Sequence, residues 1–321
     1  MSTVAMCGEI RFGANQTRGA VLVRRFYEVT IETSKETLTD TCKITLPRKV
    51  NDYDRNKVSE VFKEGDSVEV WLGYNGELKC EFSGYILRSP VGVPLVIEFE
   101  DEMYQLKRKN ISISKQNCTL KELLQTIAVG YEIKCDDTML LGTVRYTNMS
   151  ASGILDKLKE VGLKSWFDGK VLHCLSKTDT ESEQIDIVLE KTAGESLSQK
   201  AIENTLVTIN LLRKIGKKKV VTYGEQEAGV RISRTISGIT MTDNELLDEA
   251  KKIYLQAKKG GLDGDITLFG IPSVKHGYKM NLKSVVYPEK NGVYYIDSVR
   301  KTFTKQGYRQ VCKMGNSIDN K

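Results

Sequence analysis

A chain of 321 residues with 40% apolar and 28% charged side chains has room for two or three domains and the composition of a globular fold. No apolar run approaches the ~18 residues that a membrane-spanning helix needs. The opening MSTVAMCGEIRFG has neither a basic n-region nor a long apolar stretch, so no secretory leader is expected. The net charge is +6, and seven cysteines stand at 7, 42, 80, 118, 135, 174 and 312. An odd count without a CxxC pair argues against a disulfide framework or a zinc ribbon and for reduced thiols.

Residues 21–31 (VLVRRFYEVTI) begin a β region, and 39–46 (TDTCKITL) form a second strand that Pro47 stops. The polar stretch 51–64 has room for one helical turn around Val58 to Phe62. From Gly65 to Lys107 the chain reads as three strands in a row. Val68, Val70 and Leu72 alternate with Ser67, Glu69 and Trp71, the period of a half-buried strand. Asn75-Gly76 is a hairpin signal, because both central positions of a type I′ turn need positive φ. The second strand, about 78–87, crosses Gly84, where a bulge or tight bend is expected. The third, 95–100, ends at Asp101-Glu102. Five or more strands without a strong helix predict a small barrel or sandwich over residues 1–106.

The pattern then changes. Thr119 and Glu122 have the spacing of a capping box, followed by the stripe Leu120, Leu123, Leu124, Ile127 and Ala128. A short strand is expected at 131–135. A second helix carries Ile154, Leu155, Leu158 and Val161, with Gly162 placed to end it. Asp168-Gly169 then sits between 164–167 and 170–175 as another type I′ signal. Residues 107–183 are therefore expected to form an α/β domain, with the polar stretch 177–184 as a connector.

From Ile185 the sequence returns to β, over residues 184–321. Strands are expected at 206–212, 219–223, 231–239 and 265–269. Thr242 and Glu245 open a helix that Gly260-Gly261 ends. The run Arg213-Lys214-Ile215-Gly216-Lys217-Lys218-Lys219 concentrates the positive charge. Nucleic-acid contact there is one reading, but no aromatic is interleaved to stack bases, and a solvated loop is the reading preferred. Residues 276–315 look like a looser copy of 65–107. A Gly opens each (Gly65, Gly277), an alternating strand follows, then Asn-Gly (75–76, 291–292), Tyr-Ile (85–86, 295–296) and an Arg at the end of the second strand (Arg88, Arg300).

No catalytic, cofactor or metal residue is predicted. There is no GxSxG elbow, P-loop or HExxH, and Gly13 and Gly19 lack a GxGxxG frame. His173 and His276 are not paired at helical spacing. Asp101 and Glu102 on a strand would face opposite sides, so a strand-end turn explains them better than an acid/base pair.

The ordered set 39–47 (TDTCKITLP), 62–70 (FKEGDSVEV), 82–86 (FSGYI), the Leu-rich helix pair, 269–272 (FGIP), 292–296 (GVYYI) and Gly307-Tyr308 resembles the late control protein D and baseplate hub family of contractile-tailed bacteriophages. That family is related to the N-terminal half of type VI secretion spike proteins. The resemblance implies an α+β, mainly β chain: two tail-tube-like β-barrel domains flanking a small α/β insertion. It implies a structural virion protein of the tail baseplate, assembled in the host cytoplasm, and no enzyme. It implies a homotrimer that joins a sixfold tail tube to a threefold central spike. The expected partners are the tube protein, a separate spike protein and baseplate wedge or sheath-associated proteins. A separate spike is expected because the chain stops near the end of its second barrel. The alternative is a nucleic-acid-binding β protein that uses Arg213 to Lys219.

Overall fold

In the computed structural model, the described residues are 5–16, 18–47, 61–88, 94–137, 139–160, 162–175, 182–199, 203–212, 219–237, 242–258 and 261–318. Strand makes up 56% and helix 16% of the described residues, so the chain is mainly β, with a large antiparallel sheet.

The first region holds β1 (Met6–Phe12), β2 (Val21–Val23), β3 (Glu28–Ser34), β4 (Thr41–Leu46), β5 (Ser67–Tyr74), β6 (Glu77–Arg88) and β7 (Leu95–Glu100). They lie in the order β3-β4-β7-β6-β5-β1-β2. The alternation in β5 works as expected: Val68, Val70 and Leu72 are buried in the first apolar core with Phe12, Ile44 and Phe99. Asn75 (φ 54°) and Gly76 (φ 89°) make the tight turn. The β5–β6 register shifts between Val70 and Trp71, opposite Phe82 and Cys80. The bulge is thus at Glu81, not at Gly84. Gly84 has its own reason: a Cβ there would lie 2.1 Å from the Glu100 carbonyl oxygen, so β7 could not approach. Gly8 interrupts the alternation of β1, which is why the sequence pattern missed that strand.

The middle region runs α1 (Met103–Lys107), β8 (Asn110–Thr119), α2 (Leu120–Ile127), β9 (Glu132–Cys135), β10 (Leu140–Ser150), α3 (Ala151–Glu160), β11 (Lys164–Asp168) and β12 (Val171–Leu175). Its capping box forms: Glu122 N–H donates to Thr119 Oγ1 at 3.3 Å and Thr119 N–H to Glu122 Oε2 at 3.1 Å. Leu120, Leu123, Leu124, Ile127, Ile154, Leu155 and Leu158 fill a second core. The β8–β10 ladder was not legible, because its side chains are mostly exposed and its register slips three times.

The last region holds β13 (Gln184–Val188), β14 (Gly194–Glu195), β15 (Ser198–Gln199), β16 (Thr205–Leu212), β17 (Lys219–Gly224), β18 (Val230–Ser237), α4 (Asp243–Ala257), β19 (Leu262–Asp263), β20 (Asp265–Phe269), β21 (Lys279–Lys283), β22 (Gly292–Thr304) and β23 (Gly307–Ser317). Strands β16, β17 and β18 form a sheet of their own, with α4 laid on it. Val207, Ile209, Leu211, Leu246, Ala250 and Ile253 give it a separate core.

No closed barrel is present among the described residues. Strand β22 is the reason the two β regions run together. Its first residues, Gly292 to Tyr295, pair with β21, and Ser298 to Phe303 pair with β3. The result is one sheet of 13 strands. Tyr308 from β23 also packs into the first core.

Within that sheet the two meanders share a hydrogen-bond signature. Gly65 (φ 86°) and Gly277 (φ 83°) each open a strand in the left-handed region. Gly65 N–H donates to Ile86 O at 2.9 Å and Ile86 N–H to Asp66 O at 2.9 Å. Gly277 N–H donates to Ile296 O at 2.8 Å and Ile296 N–H to Tyr278 O at 3.0 Å. Just past each Ile the register shifts, between Ile86 and Arg88 in one copy and between Ile296 and Ser298 in the other. Tyr85-Ile86 and Tyr295-Ile296 are therefore equivalent. The Asn-Gly pairs are not: Asn291 has φ −66° and follows a 3₁₀ turn at Pro288–Lys290. Arg88 matches Ser298 by register, so Arg300 lies two residues beyond its expected place.

Candidate functional site

The chemistry-bearing residues singled out in the sequence fall at the seams between regions. Asp101 and Glu102 are buried between β7 and α1. Asp101 Oδ1 accepts the Met103 N–H at 3.0 Å, and Oδ2 accepts the Asp40 N–H at 3.3 Å. Burial, then the neighbouring Asp40 charge, push the Asp101 carboxyl well above the usual range. Glu102 turns to other partners. Its carboxylate accepts the Tyr85 hydroxyl at 3.1 Å and the Tyr131 hydroxyl at 2.7 Å, tying β6 to the middle region. Burial and then Glu102 raise both phenols. The two carboxylates are thus engaged separately, each by structural donors.

The two histidines, 103 positions apart by subtraction of their numbers, meet at one indole. Trp166 stacks on His173 at 5.1 Å and takes His276 edge-on at 6.0 Å. His276 Nε2 is 3.6 Å from Asp40 Oδ2. First, middle and last regions each supply a member of this cluster. Sequence spacing could not reveal it, because the contact is made by tertiary packing alone. Among the described residues, no group of three or more His, Cys, Asp and Glu side chains comes together as a metal ion would need.

A buried ion pair forms the other seam. Lys301 on β22 pairs with Glu81, the bulge residue of β6, with side chains 3% and 2% exposed. Ser273 Oγ donates to Glu81 Oε2 at 2.8 Å, and Lys301 Nζ donates to Ser273 Oγ at 3.0 Å. Burial lowers the Lys301 ammonium pKa, and Glu81 opposes that shift. Beside it Tyr74 stacks on Tyr308 at 6.0 Å.

An apolar loop at 285–287 protrudes beyond β21, and a cleft of about 490 Å³ opens beside Tyr85, Val129 and Tyr131. Arg213 to Gly216, Lys217 and Lys218 lie outside the described residues. Lys219, at the start of β17, forms an ion pair with Asp243 of α4.

No protein-family model and no curated protein sequence matches the chain. Solved structures do. A tail protein from Neisseria meningitidis is 13% identical, with 97% of each chain covered and a TM-score of 0.68. A 43 kDa prophage tail protein from Shewanella oneidensis is 13% identical, with 96% of this chain and 98% of that one covered and a TM-score of 0.67. The chain has a phage tail-protein fold. A type VI secretion component from Escherichia coli shares it at 11% identity, over 97% of this chain and 77% of that one, with a TM-score of 0.62. That component is described as structurally similar to the T4 bacteriophage tail proteins gp27 and gp5. The tail-protein fold is thus matched end to end by proteins with few identical residues, which is why no short motif announces it.

Proposed function

We propose that this chain is a structural, non-catalytic baseplate hub protein of a contractile phage tail or a phage-derived injection system. Three copies form an adaptor between a sixfold tail tube and a threefold central spike. The observation that carries the reading is the internal repeat. The strands that start at Gly65 and Gly277 share the signature around Ile86 and Ile296. The neighbouring order also repeats, β3-β4-β7-β6-β5 against β14-β20-β23-β22-β21. Two alike units in one chain become six in a cyclic trimer, which lets threefold and sixfold partners share an axis.

On this reading residues 1–106 and 184–321 are tube-like barrel domains and 107–183 is an insertion. The tube protein, a separate spike and baseplate wedge or sheath-associated proteins are the partners. The place of action is the tail baseplate, assembled in the bacterial cytoplasm. Mass measurement in solution tests it: the expected particle has the mass of three chains. A monomer at all concentrations, together with no binding to isolated tail tubes, would defeat the reading. DNA affinity that falls steeply with salt would instead favour the nucleic-acid alternative at Arg213 to Lys219.

A further inference from the structure

Two of the seven cysteines face each other across a strand ladder. The parallel pairing of β9 with β12 sets Cys135 opposite Cys174, two residues after Ile133 opposite Leu172. In no other ladder among the described residues does one cysteine lie opposite another. Residues opposite each other in a ladder project from the same face of the sheet. Here that face meets the second core: Leu172 and Cys174 are buried in it, and Ile133 and Cys135 pack against it partly buried. Both sulfurs are free thiols.

Hydrogen-bonded strands lie about 4.8 Å apart, and a disulfide spans about 4.4–6.8 Å between Cα atoms. The Cα spacing of the pair therefore suits a bond. The Cβ atoms of a parallel pair stand almost as far apart as the Cα atoms, somewhat beyond the ~3.8 Å mean of a disulfide. One strand must draw inward, and β9 is placed to do so. It has four residues, lies at the edge of the order β11-β12-β9 and ends at Cys135. Its start is tied down next door, where the Tyr131 hydroxyl donates to Glu102 at 2.7 Å. Beyond the ladder, its end has a weak contact, the Cys135 thiol donating to Asp137 Oδ1 at 3.7 Å. Burial and then Asp137 push the Cys135 thiol up to about 11, and burial pushes Cys174 up to about 12. Little thiolate is present at neutral pH, so exchange is slow and the pair stays reduced until an oxidant is in excess.

We propose that Cys135 and Cys174 form a redox clamp: a small-molecule disulfide, with oxidised glutathione as the probe, converts them to an intramolecular disulfide that fastens the end of β9 to β12. Exposure sets the order of events. Cys135 is the reachable sulfur, and Cys174 is fully buried. The Cys135 thiolate attacks the reagent disulfide, one glutathione leaves, and a mixed disulfide forms. The Cys174 thiolate then attacks Cys135 Sγ, and the second glutathione leaves. Two protein thiols are oxidised, one reagent disulfide is reduced to two thiols, and the two cysteine protons are balanced by those the released thiolates take up. The clamp stands on the β9–β12 register and is independent of the hub reading.

The test treats the full chain with excess oxidised glutathione, with dithiothreitol as the reduced control. The oxidised protein should show two thiols fewer than the seven of the reduced chain. Its mass should fall by two hydrogens, and its peptide map should join Cys135 to Cys174. The unfolding midpoint of the middle region should rise by roughly 5–10 °C, because the bond closes a loop of about 40 residues. Cys174→Ser should stop at one glutathione on Cys135, and Cys135→Ser should leave Cys174 unmodified. Circular dichroism checks that each variant is folded, and the wild-type map decides the pairing without them. Seven free thiols under excess oxidant would overturn the proposal. So would a wild-type protein that stops at a glutathione adduct on Cys135, or a map that joins other cysteines. An unchanged midpoint in the cross-linked protein would show that the bond does not fasten β9, and the clamp would fail on that count.

Discussion

The two β units meet the same geometric demand by different local means. In the first, β5 and β6 are joined by a two-residue turn whose residues both have positive φ. In the second, β21 reaches β22 through the exposed 285–287 loop and a 3₁₀ turn. Their outer neighbours differ as well. Strand β1 runs antiparallel to β5, whereas β13 runs parallel to β21. What is common is the order of five neighbouring strands, the strand start at Gly65 or Gly277 and the bulge after Ile86 or Ile296. Backbone hydrogen bonds define that shared core, and turns and edges are free to vary around it. The variation is where the second unit acquires its protruding loop.

The largest effect is expected where the units are joined. Lys301→Ala leaves Glu81 charged and buried without its partner, and should cost about 3–5 kcal/mol. Urea unfolding of the full chain reads this. Replacing both residues by apolar ones of similar size should recover most of the loss, because the pair's attraction largely offsets its desolvation. A small effect of the single change would mean that the two units are held together elsewhere, chiefly by the β22–β3 ladder.

The repeat itself is tested by truncation at the matched positions. Ile86 and Ile296 are both fully buried. Changing either to Ala should cost about 2–5 kcal/mol, the range for emptied core sites. The comparison predicts losses that agree to within about 2 kcal/mol, the spread one substitution shows across core sites. A much smaller loss at Ile296 would show that the second unit packs loosely and is not a working equivalent of the first.

How much of this was legible follows from the kind of signal. The alternation in β5, the turn at Asn75-Gly76, the capping box at Thr119 and the third strand at 95–100 are local patterns, and all were readable. The Gly65/Gly277 correspondence was readable too, because glycine marks a backbone need. The pairing of β22 with β3 was not, since it joins residues on the order of 270 positions apart and depends only on which edges are left open. The α4 sheet was read as strands and a helix, but its independence rests on a separate core that periodicity does not report. The seams were the least readable. Glu81–Lys301, Glu102–Tyr131 and His276–Trp166 are all tertiary meetings of residues with no common motif.

One seam should respond to pH in a predictable direction. The Asp101 carboxyl has a raised pKa in the fold, so the folded state holds its proton more tightly than the unfolded chain does. Its contribution to stability is complete below the ordinary carboxylate value of 3.8 and is lost as pH rises through the folded value. Asp101→Asn removes that titration and can still accept one of the two N–H bonds. Unfolding midpoints measured from about pH 4 to pH 7 should then fall less steeply with pH than in the wild type. An unchanged slope would place the titration on another group.

The smallest expected effect separates the two units most finely. Gly65→Ala and Gly277→Ala each force an L side chain into the left-handed region, at a cost of about 1–2 kcal/mol. The surroundings differ. A Cβ at Gly277 meets nothing within 4 Å, whereas one at Gly65 lies 3.2 Å from the Tyr104 hydroxyl. Tyr104 stacks on Tyr85 at 5.5 Å and lies under Arg108, so its displacement passes to the cleft wall. Gly277→Ala should therefore show the backbone cost alone. Gly65→Ala should show that cost plus a few tenths of a kcal/mol for the close contact. The sites contact different side chains, so the double variant should lose the sum of the two. Equal losses would mean that Tyr104 moves aside freely. A neutral Gly277→Ala would mean that the second strand start tolerates another backbone shape, and the equivalence drawn through Ile296 would fail there.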